Sequence, residues 1–252
     1  MKSTALRRTT AVAVTAASLA LLLTACSGDA NDGKPKGEND ASASAAAKPD
    51  VKALSAGELE KLIVEQADLK GYQVQKPKAA EILHSGDVGA DKPACEPLAE
   101  ALSHVAPGDP GASVQRKAIE AKKGKATSAD DILGALGAPV TNVTLGSYGG
   151  QGAEKAFASL KTAGTDCAGG FTAMASGAKT KVSKVAPESG LTAGDEALAW
   201  TVTADMNGQP FVTKLVVFRK GNTLASFASL SLSGTVKELP KTVVDAQAAK
   251  LR

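Results

Sequence analysis

The sequence predicts an α+β protein: an antiparallel sheet with packed helices, a single domain after a signal peptide and a disordered tether. Three observations lead there. From Glu196 to Leu232 the chain alternates apolar and polar residues across two tight-turn signals, the pattern of an antiparallel meander. Elsewhere apolar residues recur at helical spacing behind capping and turn residues. After Cys26 the chain has enough length for one good core, and no internal repeat suggests a solenoid.

The N-terminus reads as an address. Met1 to Arg8 is short and basic, and Ala11 to Leu23 is apolar except for Thr15 and Ser18. That run is too short to span a bilayer but suits the core of a signal peptide. Leu23-Thr24-Ala25-Cys26 then resembles a bacterial lipobox, in which the cysteine thiolate becomes a diacylglyceryl thioether. Residues 1–25 are therefore read as a lipoprotein signal peptide, and Cys26 as the lipidation site and membrane anchor. Arg7-Arg8 leaves the export route open, since Thr9-Thr10-Ala11 behind it fits twin-arginine export poorly. Residues 26–53 carry the lipidated Cys and a flexible linker of Gly, Asp, Asn, Lys, Ser and Ala, with too little apolar surface to offset its ordering entropy.

The folded domain is expected over 54–252. Ser55-Ala-Gly-Glu58 forms a capping box between Leu54 and Leu59, predicting a helix that runs to about Ala67. Tyr72 to Gln75 is a strand candidate. Cys95 to Val105 reads as a helix, with Pro97 tolerated in its first turn. Ser113 to Lys122 and Val140 to Ser147 read as strands, and Gln151 to Thr162 as a helix. Glu196 to Met206, Phe211 to Lys220 and Thr223 to Leu232 form the meander, turning at Asn207-Gly208 and Gly221-Asn222. Phe211 to Arg219 is apolar on both faces, so that strand is either covered twice or lines a cavity. Leu239 to Leu251 closes the chain as a helix, and Trp200 is expected in the core.

Charge excludes one class of function. Lys and Arg number 29 against 26 Asp and Glu, and the surplus is Lys2, Arg7 and Arg8. Past Cys26 the chain is neutral, which argues against nucleic acid as a partner. Aromatic residues are 3% of the chain, too few for a stacking platform. Cys95 and Cys167, exported to an oxidising compartment, are expected to form a disulfide. A free thiol pair serving redox chemistry or a metal is the alternative. No C-x-x-C motif exists, and two thiols without a nearby His make a poor zinc site.

Candidate chemistry is sparse. Hydrolase and zinc-protease signatures are missing, so no catalytic residue, metal ligand or cofactor is assigned. His104 is expected on the surface near a helix end, and His84 in a loop. Gly146 to Gly152 comes after a strand and before a helix, giving a tight turn or, less favoured, an anion cradle. Arg116-Lys117 and Lys122-Lys123-Gly-Lys125 read as a solvated edge strand, with anionic headgroups as the alternative partner. Asn142-Val-Thr144 is a chance sequon. For an enzyme of unrecognised type, Glu188, Asp195, Glu196 and Asp205 would be the candidate acids and bases, by proximity alone.

One family resemblance emerges from the order of its pieces. Ala67 to Tyr72 (Ala-Asp-Leu-Lys-Gly-Tyr) is followed by Lys92-Pro-Ala-Cys95-Glu-Pro-Leu98. Then come Leu145-Gly-Ser-Tyr148, Thr165-Asp-Cys167 and Gly194-Asp-Glu-Ala-Leu198 before two hairpins. Over residues 55–252 this resembles a group of actinobacterial lipoproteins related to the PknH-type extracellular sensor domain. The resemblance implies a sheet-and-helix domain with a cleft for a ligand outside the cell. That kinase ectodomain carries two disulfides, whereas this chain can form one, and no kinase segment is present.

The expected function is thus a non-catalytic ligand- or partner-binding, sensor-like module on the extracytoplasmic face of the cell membrane. Its partners would be the membrane through Cys26 and an unidentified small ligand or envelope protein. The alternatives are a carrier of a lipid or other apolar ligand, suggested by Phe211 to Phe218, and an unrecognised hydrolase.

Overall fold

The computed structural model describes residues 51–121 and 137–252. The readings of the signal peptide, the lipobox with Cys26, the linker up to Asp50 and the Lys122–Lys125 run lie outside the described residues.

The domain is α+β, built on one nine-stranded antiparallel sheet. The strands are β1 (Tyr72–Gln75), β2 (Val88–Ala90), β3 (Ala112–Glu120), β4 (Val140–Ser147), β5 (Phe171–Ala175), β6 (Ala178–Pro187), β7 (Glu196–Met206), β8 (Gln209–Lys220) and β9 (Thr223–Leu230). Across the sheet they run β1-β3-β4-β9-β8-β7-β6-β5-β2. The helices are α1 (Ala56–Leu62), α2 (Glu96–Leu102), α3 (Gly152–Asp166) and α4 (Lys241–Lys250).

Local chemistry accounts for most of these elements. At Ser55 both arms of the capping box form, the Ser55 amide donating to Glu58 and the Glu58 amide to Ser55 Oγ. The helix then ends at Leu62 rather than Ala67. Ile63 and Val64 leave it in extended backbone and are wholly buried, and the Val64 amide donates to Gln247 Oε1 at 3.0 Å. Gln247 also donates to the Leu62 carbonyl, so α4 stops α1. Asn207-Gly208 makes the expected turn with both residues at positive φ. α3 continues to Asp166, four residues past the expected end. Three strands escape the periodicity: β2, which has three residues, and the β5–β6 hairpin, which turns at Ser176-Gly177 with both residues at positive φ.

Each face of the sheet carries its own core. One packs α2 and α3 against Leu215, Val217, Val202 and Trp200. The other packs α1 and α4 against Val143, Val216, Phe218 and Phe227, with the Phe218 and Phe227 rings stacked at 5.7 Å. β8 is therefore apolar on both faces because it is covered on both. Each fully buried Leu, Val or Phe stabilises the fold by roughly 1.5–3 kcal/mol. Trp200 fits because position 164 is Gly: a Cβ there would meet the indole Nε1 at 2.5 Å. Cys95 and Cys167 are joined and fully buried, tying the turn before α2 to the end of α3.

Candidate functional site

Four strands present one polar row on the α1/α4 side. Register pairs Thr141 of β4 with Ser229 of β9, Ser229 with Lys214 of β8, and Lys214 with Thr201 of β7. Directly paired residues share a face, so the four side chains stand in a line across the sheet. This line lies one step beyond the last apolar residues of that core, Val143, Phe227, Val216 and Ala199.

Lys214 is the centre of the row. It is 7% exposed, and its ammonium donates to Glu188 Oε1 at 2.6 Å and Thr201 Oγ1 at 2.7 Å. The Thr201 hydroxyl donates in turn to the same Glu188 oxygen. These bonds, the one from Lys214 first, hold the Glu188 carboxyl below the usual carboxylate range. Burying an ammonium is tolerated only when it is paired and hydrogen-bonded, and Glu188 does both. Among the described residues two of the three Nζ protons are engaged. Beside Lys214, Thr141 Oγ1 donates to Ser229 Oγ at 3.1 Å.

A cleft of about 720 Å³ opens over this row, walled by Tyr72 and Glu120 on one side and Thr235 to Thr242 on another. Its charges balance, Lys214, Lys237 and Lys241 against Glu120, Glu188 and Glu238, and six hydroxyls line it. Burial and then the Glu120 charge raise the Tyr72 phenol above its ordinary value, against the opposing bond to Thr242. Such a surface offers donors and acceptors to a polar guest.

A second cleft, of about 480 Å³, lies beside β3 and is lined by Glu60, Lys76, His84, Asp109 and Arg116. Here one expectation is overturned. Arg116 does not belong to a solvated edge; it is 1% exposed, since β3 is flanked by β1 and β4 and its alternation sends Arg116 inward with Val114 and Ala118. Its guanidinium donates to Glu60 at 2.6 Å and Glu65 at 2.5 Å, while Nε is buried without a partner. Lys117 points the other way and pairs with Glu81 at 2.8 Å.

His104 is the second correction. It is partly buried, held at φ 64°, and its carbonyl accepts from Gln115 and Thr144. Its Nδ1 is buried without a partner, and burial, with Lys117 nearby, pushes the imidazole down to about 4. His84 is a loop residue whose amide donates to Asp87. Gly146 to Gly152 is the tight turn: the amides of Tyr148, Gly150 and Gly152 all donate to protein carbonyls. Asn142 lies within β4, 8% exposed.

The four acids do not converge. Glu188 belongs to the polar row. Asp195 and Glu196 clamp Arg219, with Asp195 also taking Lys220 and the Gly221 amide. Asp205 accepts the Gly208 amide inside its hairpin. Among the described residues no group of His, Cys, Asp or Glu could hold a metal ion, and no helix is long and apolar enough to cross a membrane. Lys214, Thr201, Ser229 and Thr141 were not foreseen as a set. The available signal was a single lysine inside the apolar run from Phe211 to Phe218.

Comparison with known proteins finds likeness in structure alone. No protein-family model matches the chain, and no curated protein matches it. The extracellular domain of PknH from Mycobacterium tuberculosis is similar in structure, with a TM-score of 0.44 at 12% sequence identity. The match covers 79% of this chain and 95% of that one.

Proposed function

We propose that this chain is an extracytoplasmic module, held at the membrane by lipid on Cys26, that binds a small polar ligand without transforming it. The supporting observation is the buried Lys214 ammonium on the floor of the cleft over β4, β7, β8 and β9, with one proton unengaged among the described residues. Balanced charge and lining hydroxyls favour a polar, near-neutral molecule over an acyl chain. The anchor reading comes from the Leu23-Thr24-Ala25-Cys26 sequence.

Native mass spectrometry of residues 26–252 carrying Cys26→Ser, exported in a bacterial host of matching envelope, tests this. The wild-type cleft should carry an adduct of small mass, lost in Lys214→Met while the unfolding midpoint shows a folded domain. An adduct equally present in Lys214→Met would place the ligand elsewhere. Chemical conversion of the recovered ligand by the protein would make it an enzyme.

A further inference from the structure

Among the described residues, half of the sheet is covered on one face only. The core with α2 and α3 fills one side of β5, β6 and β7 through Phe171, Val182, Val185 and Val202. On the other side, register brings together Thr172, Lys181 and Asp205 in one row and Lys184 with Thr203 in the next. Lys179 stands on the same face opposite Met174. The bulge between Val182 and Lys184 keeps Lys184 on this open face while Val185 stays in the core.

Three lysines therefore project from one exposed strand face, and none forms an ion pair among the described residues. Asp205, opposite Lys181, is turned onto the Gly208 amide at 2.6 Å, and Asp91, beside Thr172 in the same row, accepts the Thr172 amide at 2.8 Å. A second observation lies at the same end of the sheet. Leu232 is 77% exposed. Leu232 belongs to the segment that docks on β8 through the Val212 amide and Gly234 carbonyl. Lysines beside a protruding apolar side chain match the headgroup region of a bilayer, where cations meet anionic lipid and an apolar tip reaches the acyl boundary.

We propose that this face, Lys179, Lys181 and Lys184 with Leu232 at its end, rests on an anionic lipid surface. The assignment uses the anchored reading only to explain why a membrane is near; the cleft plays no part in it. The basic face is thus on β6, not at Arg116, where the sequence suggested one.

The test is sedimentation of residues 26–252 carrying Cys26→Ser, which removes the acyl chains, with vesicles of phosphatidylcholine alone or with about one third phosphatidylglycerol. Binding should require the anionic lipid and weaken as salt rises. K179E/K181E/K184E should lower vesicle affinity by on the order of a hundredfold or more, and the corresponding triple Arg variant should keep it. L232S should lower it several-fold; unchanged affinity would overturn the placement of this end of the sheet on the lipid. All these positions are exposed, so circular dichroism should stay that of the parent. Equal binding to neutral vesicles, no binding to either, or full binding by the triple Glu variant would overturn the proposal. Capture by soluble polyglutamate without vesicle binding would also overturn it, assigning the face to an acidic partner. Because Lys214→Met leaves this face intact, it should not change vesicle binding, so failure of the cleft and failure of this surface are separable.

Discussion

Mild acid should destabilise this domain through His104 before its carboxylates titrate. The imidazole has an unpartnered, buried Nδ1, and burial, aided by Lys117, holds it down at about 4 in the folded protein. Unfolded, the same ring titrates near 6.5. Since the folded value is the lower one, the unfolded chain takes up the proton first as pH falls. Stability therefore declines from about pH 6.5 and the loss is complete near pH 4. The gap corresponds to roughly 3 kcal/mol at full development, of which about 2 kcal/mol is lost by pH 5. Urea unfolding of wild type and His104→Asn from pH 8 to pH 5 would measure it. Asn tolerates the left-handed backbone at this position and carries no titrating ring. Carboxyls held low, such as those of Glu60, Glu188 and Asp195, lose their contribution only below the ordinary carboxylate range. Glu100, raised by burial, works in the opposite sense. Both effects cancel between the two proteins, so wild type should lose about 2 kcal/mol more than the variant between pH 8 and pH 5. Parallel pH profiles would refute the reasoning.

Two further outcomes rest on packing and covalent structure. Gly164→Ala would push a methyl group against the Trp200 indole, with Nε1 at 2.5 Å and Cε2 at 2.8 Å, and should cost roughly 1–3 kcal/mol while changing the emission of the sole tryptophan. An unchanged melting temperature and spectrum would show that the indole has room to move. Reducing the Cys95–Cys167 bond, which closes a separation of 72 residues, should lower stability by roughly 4 kcal/mol on the chain-entropy account. Free, alkylatable Cys95 and Cys167 peptides from unreduced protein would dismiss the bridge itself.

Much of the fold was legible because local chemistry decides it. Strands β4 and β7 begin and end where alternation puts them, and Asn207-Gly208 turns as its left-handed preferences require. β6 hid because its exposed positions carry Lys179, Lys181 and Lys184 and its bulge breaks the alternation midway. The polar row was legible only in part. The two predicted hairpin turns set Thr201 opposite Lys214 and Lys214 opposite Ser229, whereas Thr141 is remote in the chain and joins them because β9 adds to β4, which local pattern does not say. His104 misled for a related reason. A histidine after a helix suggests a solvated cation on the dipole, yet the chain turns there at a φ of 64° and Nδ1 ends up buried.

The strands β1 and β2 are near neighbours in the chain but occupy opposite borders of the sheet. Laid flat, nine strands would measure about 38 Å across. The connection from Gln75 to Val88 includes two 3-10 turns, Ala79–Glu81 and Ser85–Asp87, and reaches roughly 36 Å at full stretch. So short a cord has no slack for a flat sheet. It acts as a bowstring: the sheet must bend like a drawn bow to let its two borders share it, and the string's length sets how far the bow can open.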